Sequence, residues 1–178
     1  MRHCFFRRQL GSFIFTAGAG TLLHFLFDLS GKLPIIGAFS AVNESVWEHM
    51  KLLFVPMLTA ALAQRLLLGR SDCYWSGKLT GMLTGLILIP ALYYTYTGAL
   101  GIHLTWLDIS IFYIAAAAGY LAEAMFFRCK PHCSQRKERT AFTLLVLLAA
   151  AFVFFTFAPP ALPIFRDNLT GGYGIIEK

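Results

Sequence analysis

The chain has 178 residues, of which 57% are hydrophobic and only 13% are charged. Soluble domains carry about 25% charged residues, so this composition excludes an ordinary soluble protein and is typical of a membrane protein. The formal net charge of +6 does not indicate nucleic-acid binding, because the basic residues lie in short segments between apolar runs and form no contiguous basic face.

Five apolar segments are each long enough to cross a bilayer as an α-helix, which requires about 20 residues. We predict them, in chain order, at residues 10–28, 45–68, 78–100, 104–127 and 141–158. The first segment continues past the small residues at which a signal peptide would be cleaved, so we interpret it as a membrane helix. The predicted fold class is therefore all-α: a single domain over residues 1–178 that forms an integral membrane bundle of five transmembrane helices.

The distribution of Lys and Arg predicts the orientation of this bundle. The N-terminal segment and the loops at 65–78 and 128–139 contain 11 of the 15 basic residues, whereas the other side has Lys32, Lys51, Arg166 and Lys178. Cytoplasmic loops are enriched in Lys and Arg. We therefore predict the N-terminus inside and the C-terminus outside.

The four cysteines all fall on the predicted cytoplasmic side: Cys4, Cys73, Cys129 and Cys133. Thiols stay reduced in the cytoplasm, so we expect no disulfide framework. The spacing of Cys129 and Cys133 fits a zinc site, but the sequence lacks a second such pair.

A stripe of small residues opens the third predicted helix. Gly77, Gly81 and Gly85 recur at four-residue spacing, which lets two helix backbones approach closely. This pattern predicts a helix-packing face, and it leaves open oligomerisation through the stripe.

Polar residues from several predicted helices converge near the predicted outer face. His24 lies about 14 residues into the first helix, hence roughly 21 Å along it and inside a hydrocarbon core about 30 Å thick. Asp28 is one turn further along the same face. The second helix begins near Glu44, Glu48 and His49, and the fourth begins near Asp108.

Imidazole and carboxylate groups at one depth have the chemistry of a divalent-metal site, and the same groups also suit acid–base catalysis or proton transfer. Intramembrane ionisable groups usually mark function. We therefore predict Glu48 and His24 as candidate catalytic residues. The predicted ligand or metal-binding residues are His24, Asp28, Glu44, Glu48, His49 and Asp108.

A purely structural interpretation of several of these residues stays open. Ser45 and Glu48 match a capping box, in which Glu48 satisfies free amides at the helix start. Glu48 and Lys51 also have the spacing of a simple ion pair. His24 has no capping role at its depth, so it is the strongest candidate for a functional residue. The turn-rich tail at 161–178 is too short and polar to span the membrane, and it forms either a lid or a disordered end.

Three stretches together resemble an uncharacterised family of small polytopic bacterial membrane proteins. They are Leu23-His24-Phe25, the run from Ala41 to Lys51 (AVNESVWEHMK) and Gly172-Tyr173-Gly174. The resemblance implies a multi-pass protein of the bacterial inner (plasma) membrane. It implies no activity, substrate or catalytic residue.

Three functions fit these observations. The first is an outward-facing polar pocket between the first, second and fourth helices that binds a small ligand or a divalent metal ion. A membrane-embedded hydrolase with Glu48 as general base is one form of this function. The second is a small transporter or an ion-coupled permease subunit. The third is a structural or assembly subunit that docks through the glycine stripe. The lipid bilayer is the one partner that all three share.

Overall fold

A computed structural model describes residues 2–68, 72–129 and 132–175 of the chain. The helices are α1 (Arg2–Leu29), α2 (Pro34–Gly37), α3 (Val46–Leu68), α4 (Tyr74–Leu100), α5 (Thr105–Arg128) and α6 (Gln135–Phe157). In these ranges there is no β-strand, and one isolated antiparallel bridge joins Arg166 to Tyr173. The predicted all-α fold is confirmed.

Helices α1, α3, α4, α5 and α6 are long and apolar enough to cross a membrane. Large apolar side chains on their outer surfaces, such as Leu22, Leu66 and Ile87, are exposed, as expected of helices that contact lipid. The chain is therefore a multi-pass membrane protein. The predicted orientation of its termini remains a prediction, and three of the basic residues behind it, Arg70, Lys130 and Lys178, lie outside the described residues.

The helices extend beyond the predicted apolar segments at several ends. Helix α1 includes the basic residues before position 10, α4 begins at Tyr74, and α6 begins at Gln135. Hydropathy marks the part of a helix that lies in hydrocarbon, whereas the hydrogen-bond ladder continues into the interface. At the start of α6 the Ser134 side chain accepts a hydrogen bond from the Lys137 amide, which caps the helix.

Neighbouring long helices run in opposite directions, so each end of the bundle collects distant parts of the sequence. Ser12 contacts Gln64, and His24 contacts His49. We name the end that contains Leu29, Val46, Leu100, Thr105 and Phe157 the histidine end. The opposite end, which contains Leu68, Tyr74, Arg128 and Gln135, is named the basic end.

The glycine stripe lies between α4 and α5 of the same chain. A Cβ atom added to Gly81 would lie 2.8 Å from the carbonyl oxygen of Gly119, and one on Gly85 would lie 3.0 Å from that of Ala115. Gly77 is buried together with them. Because α5 covers the stripe, it is not an exposed surface. The stripe packs α4 on α5 within the chain, and oligomerisation through it stays a prediction.

A second close approach brings α1 against α3. Pro56 lies inside α3 and has no N–H to donate to the carbonyl of Leu52. A Cβ on Gly20 would lie 2.8 Å from that carbonyl oxygen and 2.5 Å from the ring of Phe112. The missing side chain thus lets α1 pack tightly just before His24, which fixes where the imidazole emerges.

Cys73 and Cys133 form a disulfide at the basic end, with their Cα atoms 5.2 Å apart. This contradicts the expectation of reduced thiols for this pair. The expectation judged each thiol by the compartment assigned to its loop, whereas the segments before α4 and before α6 meet in the fold. The disulfide also removes Cys133 from the zinc spacing. Cys129 is free and exposed, and the side chain of Cys4 lies outside the described residues.

Candidate metal centre

Three of the predicted residues meet at the histidine end. His24 Nε2 lies 3.5 Å from Glu44 Oε1, and His49 Nε2 lies 3.5 Å from Glu44 Oε2. The two imidazole rings are 5.5 Å apart between centroids. One ligand atom from each of the three side chains lies within 4.8 Å of the others. We name this group the His24–Glu44–His49 cluster.

The ring orientation of His49 is set by its own helix. Its Nδ1 lies 2.9 Å from the carbonyl oxygen of Ser45, one turn earlier. A carbonyl can only accept, so Nδ1 carries the proton and the neutral ring keeps its lone pair on Nε2. That nitrogen faces Glu44. A backbone carbonyl that fixes the tautomer in this way is the usual support of a metal-binding histidine.

Glu44 lies between α2 and α3, in residues 38–45, which we name the connector. The C-terminal tail holds its backbone there. The Glu44 N–H donates to Asp167 Oδ1 over 3.0 Å, and the Asn168 side-chain amide donates to the Glu44 carbonyl over 2.7 Å. Next to it, the side-chain amide of Asn43 donates to the carbonyl of Gly174 over 2.8 Å. The tail is therefore ordered over the connector, and it presents the Glu44 carboxylate to the two histidines.

Asp167 is 4% exposed and its carboxylate accepts several hydrogen bonds. Burial alone would raise its pKa, but bonds from the Thr170 hydroxyl and from the backbone amides of Glu44, Leu169 and Thr170 outweigh burial, so that the pKa of Asp167 is lowered. Hydrogen bonds to a charged carboxylate favour that form. The anchor of the tail is therefore an ionised group at neutral pH.

The donor set of the cluster fits a divalent transition metal. Ligand atoms that each lie about 2.0–2.1 Å from a tetrahedral Zn²⁺ are roughly 3.3 Å apart, close to the two distances of 3.5 Å. The side chains of His24, Glu44 and His49 are 29%, 39% and 25% exposed. An ion can thus reach them from the surface of the bundle.

Glu48 lies apart from this cluster, in a buried network with Lys51. Lys51 Nζ donates to Glu48 Oε2 over 2.6 Å and to Thr156 and the Gly37 carbonyl over 2.7 Å each. Glu48 also accepts from the amide of Val42 and from the Thr156 hydroxyl. Its two carboxylate oxygens therefore join the connector and α6 to the start of α3.

The capping box is half formed. The amide of Glu48 donates to Ser45 Oγ over 3.3 Å, as the sequence predicts. The reciprocal bond is replaced, because the Ser45 amide donates instead to Asn43 Oδ1 over 3.0 Å. Glu48 is thereby left to bind Lys51.

The other predicted ligands do not join the cluster. Asp28 is exposed on α1, one turn beyond His24. Asp108 accepts a hydrogen bond from the Tyr96 hydroxyl, and His103 pairs with the Tyr93 hydroxyl over 3.0 Å. The predicted polar layer thus separates into the His24–Glu44–His49 cluster, the Glu48–Lys51 network, and a tyrosine group between α4 and α5.

Sequence reasoning missed Asp167 and Asn168 as parts of the site. The turn-rich composition of the tail was the one indication in the sequence, and it fitted a lid and a disordered end equally well. The sequence also gave no partner for Lys78, which lies 2.6 Å from Glu123 in a second buried ion pair, near the basic end.

The profile of one protein family matches residues 11–175, and it is described as a family of unknown function, DUF6512. No curated protein matches the chain significantly. The same is true of the solved structures. The geometry of the site therefore carries the functional argument.

Proposed function

The chain belongs to this family of unknown function, and we propose that it is a membrane protein that binds a divalent metal ion through His24, Glu44 and His49. The observation that carries the proposal is the meeting of three ligand atoms within 4.8 Å, from α1, the connector and α3. Ionisable side chains that meet within a membrane protein usually mark function.

Two imidazoles and one carboxylate favour Zn²⁺, although other first-row metals accept the same ligands. Three protein ligands leave a coordination position for water or substrate, and a bound metal would supply Lewis-acid activation of that molecule. This ligand count supports a hydrolase that works near the bilayer surface. Glu48 takes a positioning role in the proposal, because its carboxylate oxygens are engaged by Lys51, Val42 and Thr156.

Metal content tests the proposal directly. The full chain is purified in detergent, stripped with a chelator, and titrated with Zn²⁺ by calorimetry, with the bound metal counted by elemental analysis. We expect one site per chain, with affinity lowered at least tenfold in His24→Ala and His49→Ala. His103→Ala is the matched control, since His103 lies at the same end but pairs with Tyr93. Equal zinc binding by His24→Ala and the wild type would overturn the proposal.

A polar stripe on α1 favours transport as a second candidate function. Gln9, Ser12 and Thr16 are all buried, and with Gly20 they lead along one face of α1 to His24 at three- and four-residue spacing. Such intramembrane polar residues line ion pathways in transporters. The test is zinc entry into liposomes that contain the protein and a zinc-sensitive dye. Flux that is lost in both Glu44→Gln and Thr16→Val supports transport, and the absence of flux in the wild type excludes it.

A further inference from the structure

A groove opens near the basic end, along α6. It consists of two adjoining parts of about 480 and 360 Å³. Both parts are lined by Arg136, Thr140 and Leu144 of α6. The groove therefore follows the first turns of α6 from its basic start down towards its apolar span.

The mouth of this groove is strongly basic. Arg136, Lys137 and Arg139 are exposed at the start of α6. Glu138 lies between them, but its carboxylate accepts hydrogen bonds from two amides at the start of α4 and from the Ser76 hydroxyl. Within residues 2–68, 72–129 and 132–175, no carboxylate forms an ion pair with the three cations.

One wall of the groove is apolar. Leu79 of α4, Phe126 of α5 and Leu144 of α6 line it, together with Thr80 and Thr140. The groove thus combines positive charge at the start of α6 with hydroxyl groups and hydrocarbon. A phospholipid carries complementary groups: phosphate, glycerol ester and acyl chain.

We propose that this groove binds one anionic phospholipid, with its phosphate at Arg136, Lys137 and Arg139 and an acyl chain along Leu79, Phe126 and Leu144. Basic pockets between membrane helices are known to take anionic lipid headgroups. Arg suits phosphate because its planar guanidinium donates two parallel hydrogen bonds. The apolar wall selects a lipid over a free phosphate ion, since only a lipid fills both parts of the groove.

Native mass spectrometry of the full chain tests the proposal after exchange into detergent that contains phosphatidylglycerol or phosphatidylcholine. We expect one phosphatidylglycerol per chain, with at least tenfold preference over phosphatidylcholine. The variant Arg136→Gln/Lys137→Gln/Arg139→Gln should lose that preference. The control variant Arg7→Gln/Arg8→Gln/Arg128→Gln removes three exposed charges from the same end outside the groove, and should retain it.

Three outcomes would overturn the proposal. Equal loss in the control variant would mean that the lipid senses only the total charge of the basic end. Equal binding of phosphatidylcholine would mean that the phosphate site does not discriminate. Full displacement by millimolar inorganic phosphate would mean that the apolar wall contributes nothing. Melting temperatures of the variants in detergent, equal to that of the wild type, confirm that each is folded.

Discussion

The backbone N–H of Glu44 donates a hydrogen bond to Asp167 Oδ1 over 3.0 Å, across 123 positions of the sequence. Asp167 is therefore a positioning residue for the proposed metal centre. Asp167→Ala removes the acceptor and frees the tail, and we expect zinc affinity to fall about tenfold, as it does when outer partners of a ligand are lost. Calorimetry measures this change. Asp108→Asn removes an acid at the same end that accepts a hydrogen bond from Tyr96, and it should leave the affinity within twofold. Equal losses in both variants would point to general electrostatics.

The attachment of the tail should depend on pH in one direction. The pKa of Asp167 in the folded chain is lowered from its ordinary value of 3.8, so its ionised form stabilises the tail at every pH above about 4. This stabilisation is lost as the pH falls through the lowered pKa. The protection factors of residues 167–174, corrected for the intrinsic exchange rate at each pH, should therefore be high at pH 7 and at pH 5, and should fall only below pH 3.8. In Asp167→Ala the exchange of the segment should already be fast at pH 7. Protection that declines near pH 6 would contradict this assignment.

The Lys78–Glu123 pair predicts strongly non-additive substitutions. Both side chains are almost completely buried and their charged atoms are 2.6 Å apart. Glu123→Leu leaves the Lys78 charge without its counter-ion and should cost about 3–5 kcal/mol of stability, whereas Lys78→Met/Glu123→Leu together should cost far less. Unfolding of the purified protein in mixed micelles of increasing SDS content measures the stability of each variant. If the effects of Lys78→Met and Glu123→Leu add up to that of the double variant, a direct pair is excluded.

The packing of α4 on α5 predicts different results at two glycines of the same helix. A Cβ on Gly81 would meet the Gly119 carbonyl oxygen at 2.8 Å, whereas a Cβ on Gly98 has no neighbour within 4 Å. Gly81→Ala should therefore destabilise the protein by about 1–3 kcal/mol. Gly98→Ala should be neutral or slightly stabilising, since alanine favours helix. The same micelle unfolding assay compares them, and a neutral Gly81→Ala would contradict the close approach.

The disulfide and the basic residues at the basic end give opposite expectations for the compartment that this end faces. Basic loops favour the cytoplasm, whereas a lasting disulfide favours an oxidising compartment. Cys73→Ser should cost about 2–4 kcal/mol if the bond is formed in the cell, and the exposed thiol of Cys129 provides the matched control, Cys129→Ser. Labelling of Cys129 in intact cells with an impermeant maleimide reports which side this end faces.

The fold could be predicted because the length and the lack of charge of each membrane-spanning segment are visible in the sequence. The order of these segments places His24 and His49 at one end of the bundle, where they meet. The acid that contacts both histidines, Glu44, could not be predicted. Glu48 and His49 are adjacent in sequence, but one step along a helix rotates a side chain by about 100°, so His49 faces α1 while Glu48 faces α6. Only the packing order of the helices decides which of the neighbouring acids meets the histidines.

Glu44 was one of several equivalent acids in the sequence because its position depends on a contact with the tail. No local pattern around residue 44 encodes Asp167 or Asn168. Similarly, the spacing of the cysteines on either side of α4 and α5 does not show that their loops meet. Long-range pairs of this kind follow from topology, and the apolar segments determine topology only as far as the number and order of crossings.

The hydrogen bonds between the tail and the backbone of Glu44 have a consequence for biogenesis. Residues 166–174 leave the ribosome after the five described membrane-spanning helices, so these helices can already be inserted in the bilayer while Glu44, the proposed third ligand, is still unfixed. The proposed centre would then form only after residues 166–174 have been synthesised. A chain that stalls before Asp167 would have all five of these helices and an unfinished site.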